Sequence, residues 1–187
     1  MAEAFLGLAT AFGLSTAAGL NAYIPLLVVA LLGRLTPWVT LNKPWDALAS
    51  WWVIGTLGVL LVVEVLVDKV PAADTTNDII QTFIRPAAGA ILFASTTKAI
   101  GLHPVLAAIC GVILAGGVHA VKAGGRPVIT AATAGIGNPV VSTIEDIIAL
   151  IASVLAVVAP FLVVVLILIV AGVITWWLLR RRQRRWY

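Results

Sequence analysis

The sequence predicts an all-α polytopic membrane protein, and three observations carry that prediction. Hydrophobic residues make up 61% of the 187 residues, charged residues only 11%, and the mean hydropathy is +1.11. These values lie far outside those of an average soluble domain. The apolar residues also fall into runs that approach the roughly 20 residues a helix needs to cross a bilayer. The single Cys110 excludes an intrachain disulfide.

About six apolar segments are candidate transmembrane helices, and we treat residues 1–179 as one transmembrane domain. No Lys or Arg precedes the first segment, so we interpret it as a spanning helix and not as a signal peptide. The segments run over Phe5–Leu32, Trp51–Val67, Pro86–Thr97, Pro104–Val121, Val140–Val158 and Phe161–Leu179.

Three stretches carry helix-breaking or small polar residues where regular helix is expected. The stretch near Gly19, which contains Asn21 and Pro25, predicts a broken or kinked helix. Residues 74–85 predict a separate interfacial or re-entrant helix before Pro86. Residues 124–138 predict irregular backbone at membrane depth, which bilayers tolerate only inside protein or beside water.

The last two apolar segments have no polar residue between them, and only Ala159-Pro160 offers a break. A single helix over residues 140–179 would be about 60 Å long, twice the hydrocarbon thickness. We therefore expect a tight turn near Pro160, with one kinked, tilted helix as the alternative.

The basic residues indicate the orientation of the chain. Residues 180–187, RRRQRRWY, hold five of the twelve Lys and Arg residues, and we interpret them as a basic cytoplasmic tail. Six spans would then place both termini in the cytoplasm of a bacterium, with the chain in its inner membrane. Because this tail accounts for much of the pI of 9.7, we expect membrane lipids and not nucleic acid as partners.

A comparison of the chain with itself suggests an internal repeat, as many transporters contain. At a shift of 53 residues, GVLLVVEVLVDKV from Gly58 aligns with GVILAGGVHAVKA from Gly111, and Arg85-Pro86 aligns with Asn138-Pro139. A second register pairs STAAGLNAYIP with ATAGIGNPVV, which leaves an inverted repeat open.

The stretch from Lys122 to Asp146 is the first candidate for a functional site. Its glycines allow close approach to a ligand, and a helix beginning at Pro139 or Val140 would direct its amide groups at an anion. The alternative is a flexible cytoplasmic loop whose small residues serve helix packing. We predict that substrate is bound by Arg126, Lys122, Arg85, Thr130, Thr133, Asn138 and Asn21.

Acidic residues in or beside spans are costly and mark ion pairs or pathways. Glu64 lies one helical turn before Asp68, and Glu145 and Asp146 can pair with the basic residues of the same stretch. We predict that these four carboxylates couple ions or protons, with solvated interfacial charge as the alternative. Asn21 is equally compatible with hydrogen bonding between helices.

Catalytic and metal-binding motifs are not expected. His103 and His119 are too far apart to share a metal, and Ser142 with His119 and Asp146 lacks a nucleophile elbow. We therefore expect no enzyme activity, no catalytic residue, no metal and no cofactor. The small residues Ala149, Ala152, Ser153 and Ala156 predict a helix-packing face, within the chain or in a homo-oligomer.

The chain resembles the small bacterial integral membrane proteins catalogued as domain of unknown function four-one-two-six (DUF4126). The resemblance rests on the basic tail and on GLSTAAGLNAYIPLL, DKVPAADTTNDIIQTFIRPAAGA and KAGGRPVITAATAGIGNPVVSTIEDI. It implies a polytopic inner-membrane protein and supplies no activity. Gly125-Arg126-Pro127 is also similar to an element of the re-entrant segments in DedA-type lipid transporters, whose other motifs are absent here.

We expect a small transporter or lipid flippase that handles an anionic or polar solute near residues 122–146. Two alternatives remain: an oligomeric ion or small-solute channel, and a structural membrane adaptor whose basic tail recruits lipid or a partner.

Overall fold

In the computed structural model, the described part of the chain is all helical, as predicted. It covers residues 2–41, 43–68, 71–97, 101–162, 165, 169, 172, 173, 175, 176 and 180, without the side chains of 2, 71–76 and 78. Six α-helices are α1 (Ala2–Leu20), α2 (Tyr23–Leu35), α3 (Trp51–Val67), α4 (Pro71–Thr97), α5 (Pro104–Thr133) and α6 (Asn138–Val158). A short 3-10 helix, Trp45–Ala49, precedes α3.

Four of the described helices are long and apolar enough to cross a membrane: α1, α4, α5 and α6. The helices α2 and α3 are apolar but shorter, at 13 and 17 residues. Their side chains that face outward are mainly large and apolar, such as Trp52 and Val59, which are 89% and 64% exposed. The prediction of a polytopic membrane protein is thereby confirmed.

The first apolar segment breaks at Asn21 and Ala22, as the polar residues near Gly19 predicted. The chain also turns back there. Gly7 and Thr10 of α1 line the same cavity as Trp38–Thr40, which follow α2. The two helices are therefore the arms of a hairpin and not one kinked span.

The other two predicted irregular stretches are mostly helical. Residues 74–85 lie within α4, which continues through Pro86 without a break. Residues 124–133 belong to α5, which contains Pro127. Both predictions were wrong, because a continuous helix satisfies the backbone groups of a membrane-spanning segment and tolerates glycine and proline.

Irregular backbone between α5 and α6 is confined to residues 134–137. Ala134 and Gly135 have left-handed backbone, with φ of 51° and 85°, and this ends α5. The next helix begins at Asn138, with Pro139 in its first turn, close to the predicted start. A further break occurs at Ala159, as expected from Ala159-Pro160. Most of the sixth segment and the tail 181–187 lie outside the described residues.

Close contact between α4 and α5 depends on glycine. A Cβ atom on Gly111 would collide with the Gly89 carbonyl group, and one on Gly89 would lie 2.5 Å from Ala115 Cβ. Ser15 of α1 donates a hydrogen bond to the Gly89 carbonyl oxygen at 3.0 Å. Three helices thus meet at one point on α4.

The predicted small-residue face of α6 packs within the chain. Ala149, Ser153 and Ala156 have no exposed surface, and Ala156 belongs to the core that α1, α2 and α3 share. Homo-oligomerisation is therefore not needed to explain these residues.

The two units of the suggested repeat differ in structure. Pro86 lies inside α4, whereas its counterpart Pro139 begins α6. Gly111 touches a neighbouring backbone, whereas a Cβ atom added to its counterpart Gly58 would meet none of the described atoms within 4 Å. The described helices therefore do not support a two-span repeat.

This difference gives a matched test. Gly111→Ala is expected to lower the free energy of unfolding by about 1–3 kcal/mol, because the helices must separate. Gly58→Ala should leave it unchanged or raise it by up to about 1 kcal/mol, because alanine favours helix. Thermal unfolding in detergent measures both, and equal effects of the two substitutions would contradict the close α4–α5 contact.

Candidate functional site

The turn at Asn21 gathers polar groups from four helices. At its carboxyl end a helix leaves carbonyl groups without intrahelical partners. Lys122 Nζ donates to the Leu20 carbonyl oxygen at 3.1 Å, and Arg85 Nη1 donates to that of Gly19 at 3.5 Å. Positive charges at this helix end are also favoured by the helix dipole.

Asn21 itself joins the two arms of the hairpin. Its Oδ1 accepts hydrogen bonds from the backbone N–H groups of Tyr23 and Ile24 at 3.0 and 3.1 Å, which caps α2. Its Nδ2 donates to Asp146 Oδ1 of α6 at 2.9 Å. Asn21 therefore joins helices through hydrogen bonds, which is one of the two roles predicted for it.

Arg85 lies at the centre of the site and has no exposed surface. Its Nη2 is 3.1 Å from Glu64 Oε1, and its Nη1 is 3.1 Å from His119 Nδ1. Because arginine only donates, we infer that Nδ1 of His119 accepts and that the proton resides on Nε2. That nitrogen faces Thr82 Oγ1 at 3.0 Å, so Thr82 accepts from it.

A second group of charges surrounds the first. Lys122 Nζ is 2.8 Å from Glu145 Oε2, and Arg126 Nη2 lies between Asp68 Oδ2 and Glu145 Oε2 at 3.7 and 4.0 Å. Asp68 also accepts hydrogen bonds from Asn77 at 2.8 Å and from Ser142 at 2.6 Å. We call Glu64, Asp68, Arg85, Lys122, Arg126, Glu145 and Asp146 the charge cluster.

Helix lengths place this cluster within the length of the apolar helices but towards one end of the bundle. Arg85 lies 12 residues before the last residue of α4, which corresponds to about 18 Å along the axis. Glu64 lies 13 residues after the start of α3, or about 20 Å from it. We call this side of the bundle the charged end.

Three buried oxygens at this end accept no hydrogen bond from the described residues: Glu64 Oε2, Gln81 Oε1 and Glu145 Oε2. The last of them still faces Lys122 in an ion pair, whereas the first two do not. The side chains of Glu64, Gln81 and Arg85 all interact with Tyr23. Leaving a buried polar atom unpaired costs about 1–3 kcal/mol, and more for a charged group. The centre of the cluster is therefore not fully satisfied in this conformation.

Most of the predicted site residues converge. Eight of them meet in the cluster or contact it directly: Asn21, Glu64, Asp68, Arg85, Lys122, Arg126, Glu145 and Asp146. Thr130, Thr133 and Asn138 instead shape the turn between α5 and α6. Asn138 Nδ2 donates to Thr130 Oγ1 at 3.0 Å, and Thr133 Oγ1 accepts from the Gly137 N–H at 3.1 Å.

Five participants were not predicted as site residues: Asn77, Gln81, Thr82, His119 and Ser142. Helical spacing contains the signal for two of them. His119 lies three residues before Lys122 on α5, and Ser142 lies three residues before Glu145 on α6. Asn77 and Gln81 precede Arg85 at intervals of four residues on α4, a pattern that becomes visible only once this stretch is known to be helical.

The described residues show no metal-ligand geometry, since no three His, Cys, Asp or Glu side chains converge as ligands. His103 caps the start of α5, far from His119. The described partners of Ser142 and His119 are Asp68, Arg85 and Thr82. The expectation of no enzyme activity stays a prediction.

A family model described as "Domain of unknown function (DUF4126)" matches residues 8–181. The chain belongs to this family. The match extends from α1 through α6 and includes every residue of the charge cluster. No curated protein and no solved structure matches the chain.

The DUF4126 family carries no described activity, so the chemistry rests on the site. Gly125-Arg126-Pro127 is the stretch that is similar to an element of re-entrant segments in DedA-type lipid transporters. These residues lie inside α5, and Arg126 points into the charge cluster.

The ion pair of Glu64 and Arg85 gives a test of how the cluster is held together. Glu64→Gln or Arg85→Gln leaves the other charge buried and is expected to destabilise the protein by about 3–5 kcal/mol. The double variant should recover part of that loss, because neither charge remains. Unfolding in detergent measures all three, with Asp46→Asn in the exposed connection as the control. Purely additive losses would contradict a direct pair.

Proposed function

We propose that this protein is a small membrane transporter whose charge cluster binds a polar head group or solute and couples its movement to protons. One observation carries the proposal: seven ionisable side chains from α3, α4, α5 and α6 lie together around a helix break within the apolar layer. Broken helices and buried charges at membrane depth are typical of transport sites.

The cost of such a cluster argues against a purely structural role. Each buried charge loses several kcal/mol of hydration, and apolar side chains of similar size often stabilise a protein as well or better. A structural adaptor would gain no stability or binding surface from charges that are buried in this way. Glu64 and Arg85 at the centre, 2% and 0% exposed, also offer no open path, which favours alternating access over a permanently open channel.

The more open side of the cluster is where a solute would first make contact. The side chain of Glu145 is 16% exposed, and it neighbours both Lys122 and Arg126. Protonation of Glu145 would remove its charge, release Lys122 and leave Arg126 with Asp68 as its carboxylate, so that these cations could hold a polar or zwitterionic group. Loss of the proton would restore the ion pairs and expel that group, so solute and proton would move together.

The expected anionic solute receives less support than a polar one. Arg85, Lys122 and Arg126 each already face a carboxylate within 4.0 Å. An anion therefore competes with protein groups for every one of these cations. A polar or zwitterionic group can replace one contact at a time.

We place the charged end at the cytoplasmic face of the inner membrane. Lys122 and Arg126 lie there, whereas Arg34 contacts the Trp51 ring at the opposite side. Because α1 runs towards the charged end, its first residues would then lie at the outer face. The predicted arrangement, with both termini in the cytoplasm, counts residues 5–32 as one span, whereas α1 and α2 are two helices of opposite direction.

Purified protein in liposomes tests the proposal. Wild-type protein should accelerate transbilayer movement of a head-group-labelled lipid or of protons when a pH gradient is imposed. Glu145→Gln should reduce that rate about tenfold or more, because the proton-accepting group is lost, whereas Asp46→Asn should not.

Two results would count against transport. One is a rate in wild-type liposomes equal to that in protein-free liposomes. The other concerns the growth phenotype of cells that depend on this protein. If Glu145→Gln supports normal growth and removal of residues 180–187 abolishes it, the protein acts as a tail-dependent adaptor.

A further inference from the structure

A cavity of about 150 Å³ lies at the end of the bundle opposite the charged end. Helices α1, α4 and α6 and the connection between α2 and α3 form its walls. The described residues that line it are Gly7, Thr10, Trp38, Val39, Thr40, Ser95, Thr96 and Val157.

Two helices give the same distance between this cavity and the charge cluster. On α1, Thr10 lies 10 residues before Leu20, and on α4, Ser95 lies 10 residues after Arg85. Each interval corresponds to about 15 Å along a helix axis. The cavity is therefore separate from the cluster.

A packed layer lies between the cavity and the cluster. Leu14 and Ser15 of α1 and Leu92 of α4 occupy these intervals and have no exposed surface. Ser15 also joins the two helices through its hydrogen bond to the Gly89 carbonyl oxygen at 3.0 Å. A solute could pass between the cavity and the cluster only if this layer opens.

Hydroxyl groups supply the polar part of the cavity wall. The Ser95 and Thr96 hydroxyls donate to the Leu92 carbonyl oxygen at 3.0 and 2.8 Å. Their hydrogens are thereby used, so their oxygens are left to accept. Among the described residues, the Thr10 and Thr40 hydroxyls have no hydrogen-bond partner, so they can both donate and accept.

These groups suit a small, uncharged ligand that donates hydrogen bonds. Among the described residues, none that lines the cavity is ionisable, so a charged ligand would find no counter-ion there. A cavity of this volume holds about six non-hydrogen atoms, which is the size of glycerol.

The cavity can be reached from the surface, since Thr40 is exposed and Trp38 is 65% exposed. Tryptophan is enriched where the apolar layer meets water. A ligand could therefore enter from the water or from the head-group region of the lipid.

We propose that this cavity binds an uncharged polyol group of about the size of glycerol, carried by a free solute or by a lipid head group. The proposal rests on the transport function above and names the class of its solute. The cavity and the charge cluster would then be the two ends of one path, with the packed layer as the barrier between them.

Two probes of equal size isolate the role of the donated hydrogen bonds. Glycerol and 1,2-dimethoxyethane are both uncharged and contain the same number of non-hydrogen atoms, but only glycerol donates. Saturation-transfer NMR measures their binding to full-length protein in lipid nanodiscs, with protein-free nanodiscs subtracted. We expect saturable binding of glycerol and none of the diether.

The lipid of the nanodisc distinguishes the two sources of the polyol. Phosphatidylglycerol and phosphatidylserine are both anionic, but only the first has a glycerol head group. Weaker binding of free glycerol in phosphatidylglycerol would identify the lipid head group as the occupant. Equal binding in the two lipids would identify a free polyol.

Threonine-to-valine variants locate the binding site, because they remove a hydroxyl and keep the shape of the side chain. Thr10→Val combined with Thr96→Val should weaken glycerol binding about tenfold, since two hydrogen bonds are lost. Thr16 is the control, because it lies on α1 and donates to the Phe12 carbonyl oxygen at 2.7 Å. Thr16→Val should bind as wild type does.

The results separate this proposal from the proposed function. Equal signals from glycerol and the diether, or unchanged glycerol binding by the double variant, would mean that the cavity holds only water and would overturn the polyol site. If the liposome assay still shows movement that depends on Glu145, the transport function stands without this site. Specific glycerol binding with no movement in liposomes would support the site and overturn transport.

Discussion

The burial of Arg85 is the constraint on which the rest of the bundle depends. A guanidinium group without any exposed surface must be neutralised and hydrogen-bonded, and three elements supply what it needs: Glu64, His119 and the carbonyl end of α1. That carbonyl is available only because α1 stops at Leu20. The helix break, the ion pair and the mutual position of α3, α4 and α5 are therefore one arrangement, and none of them can be changed alone.

Composition and apolar run length were sufficient to predict an all-helical membrane protein, because the bilayer restricts spanning chains to so few structures. The break near Asn21 was also predictable, since an amide side chain in the middle of a span needs a partner. The reversal of direction was not. It depends on where Asp146 and the carbonyl-binding cations lie in space, and their contacts join residues that are 125, 102 and 66 positions apart in the sequence.

Sequence also identified most charges of the site but misjudged its backbone. Glycine and proline in residues 124–133 were interpreted as loop signals, which is their usual meaning in water. Inside a membrane bundle a helix is the least costly way to satisfy the backbone, so α5 continues through them. Thr130 and Asn138 lie near the predicted site in sequence, yet their contacts belong to the turn that ends α5. Helical spacing from Lys122 and Glu145 therefore identifies site residues better than closeness in the sequence does.

Both arginines of the cluster are followed directly by a proline within a long helix, Pro86 in α4 and Pro127 in α5. A proline has no N–H group, so the helix lacks one backbone hydrogen bond at each of these turns. The two longest helices of the described chain thus lack a backbone hydrogen bond on the turns that hold their buried arginines. Bending at such a turn breaks one backbone hydrogen bond fewer than bending elsewhere in the helix. In both α4 and α5, the turn that lacks a backbone hydrogen bond is thus the turn that carries a buried ion pair.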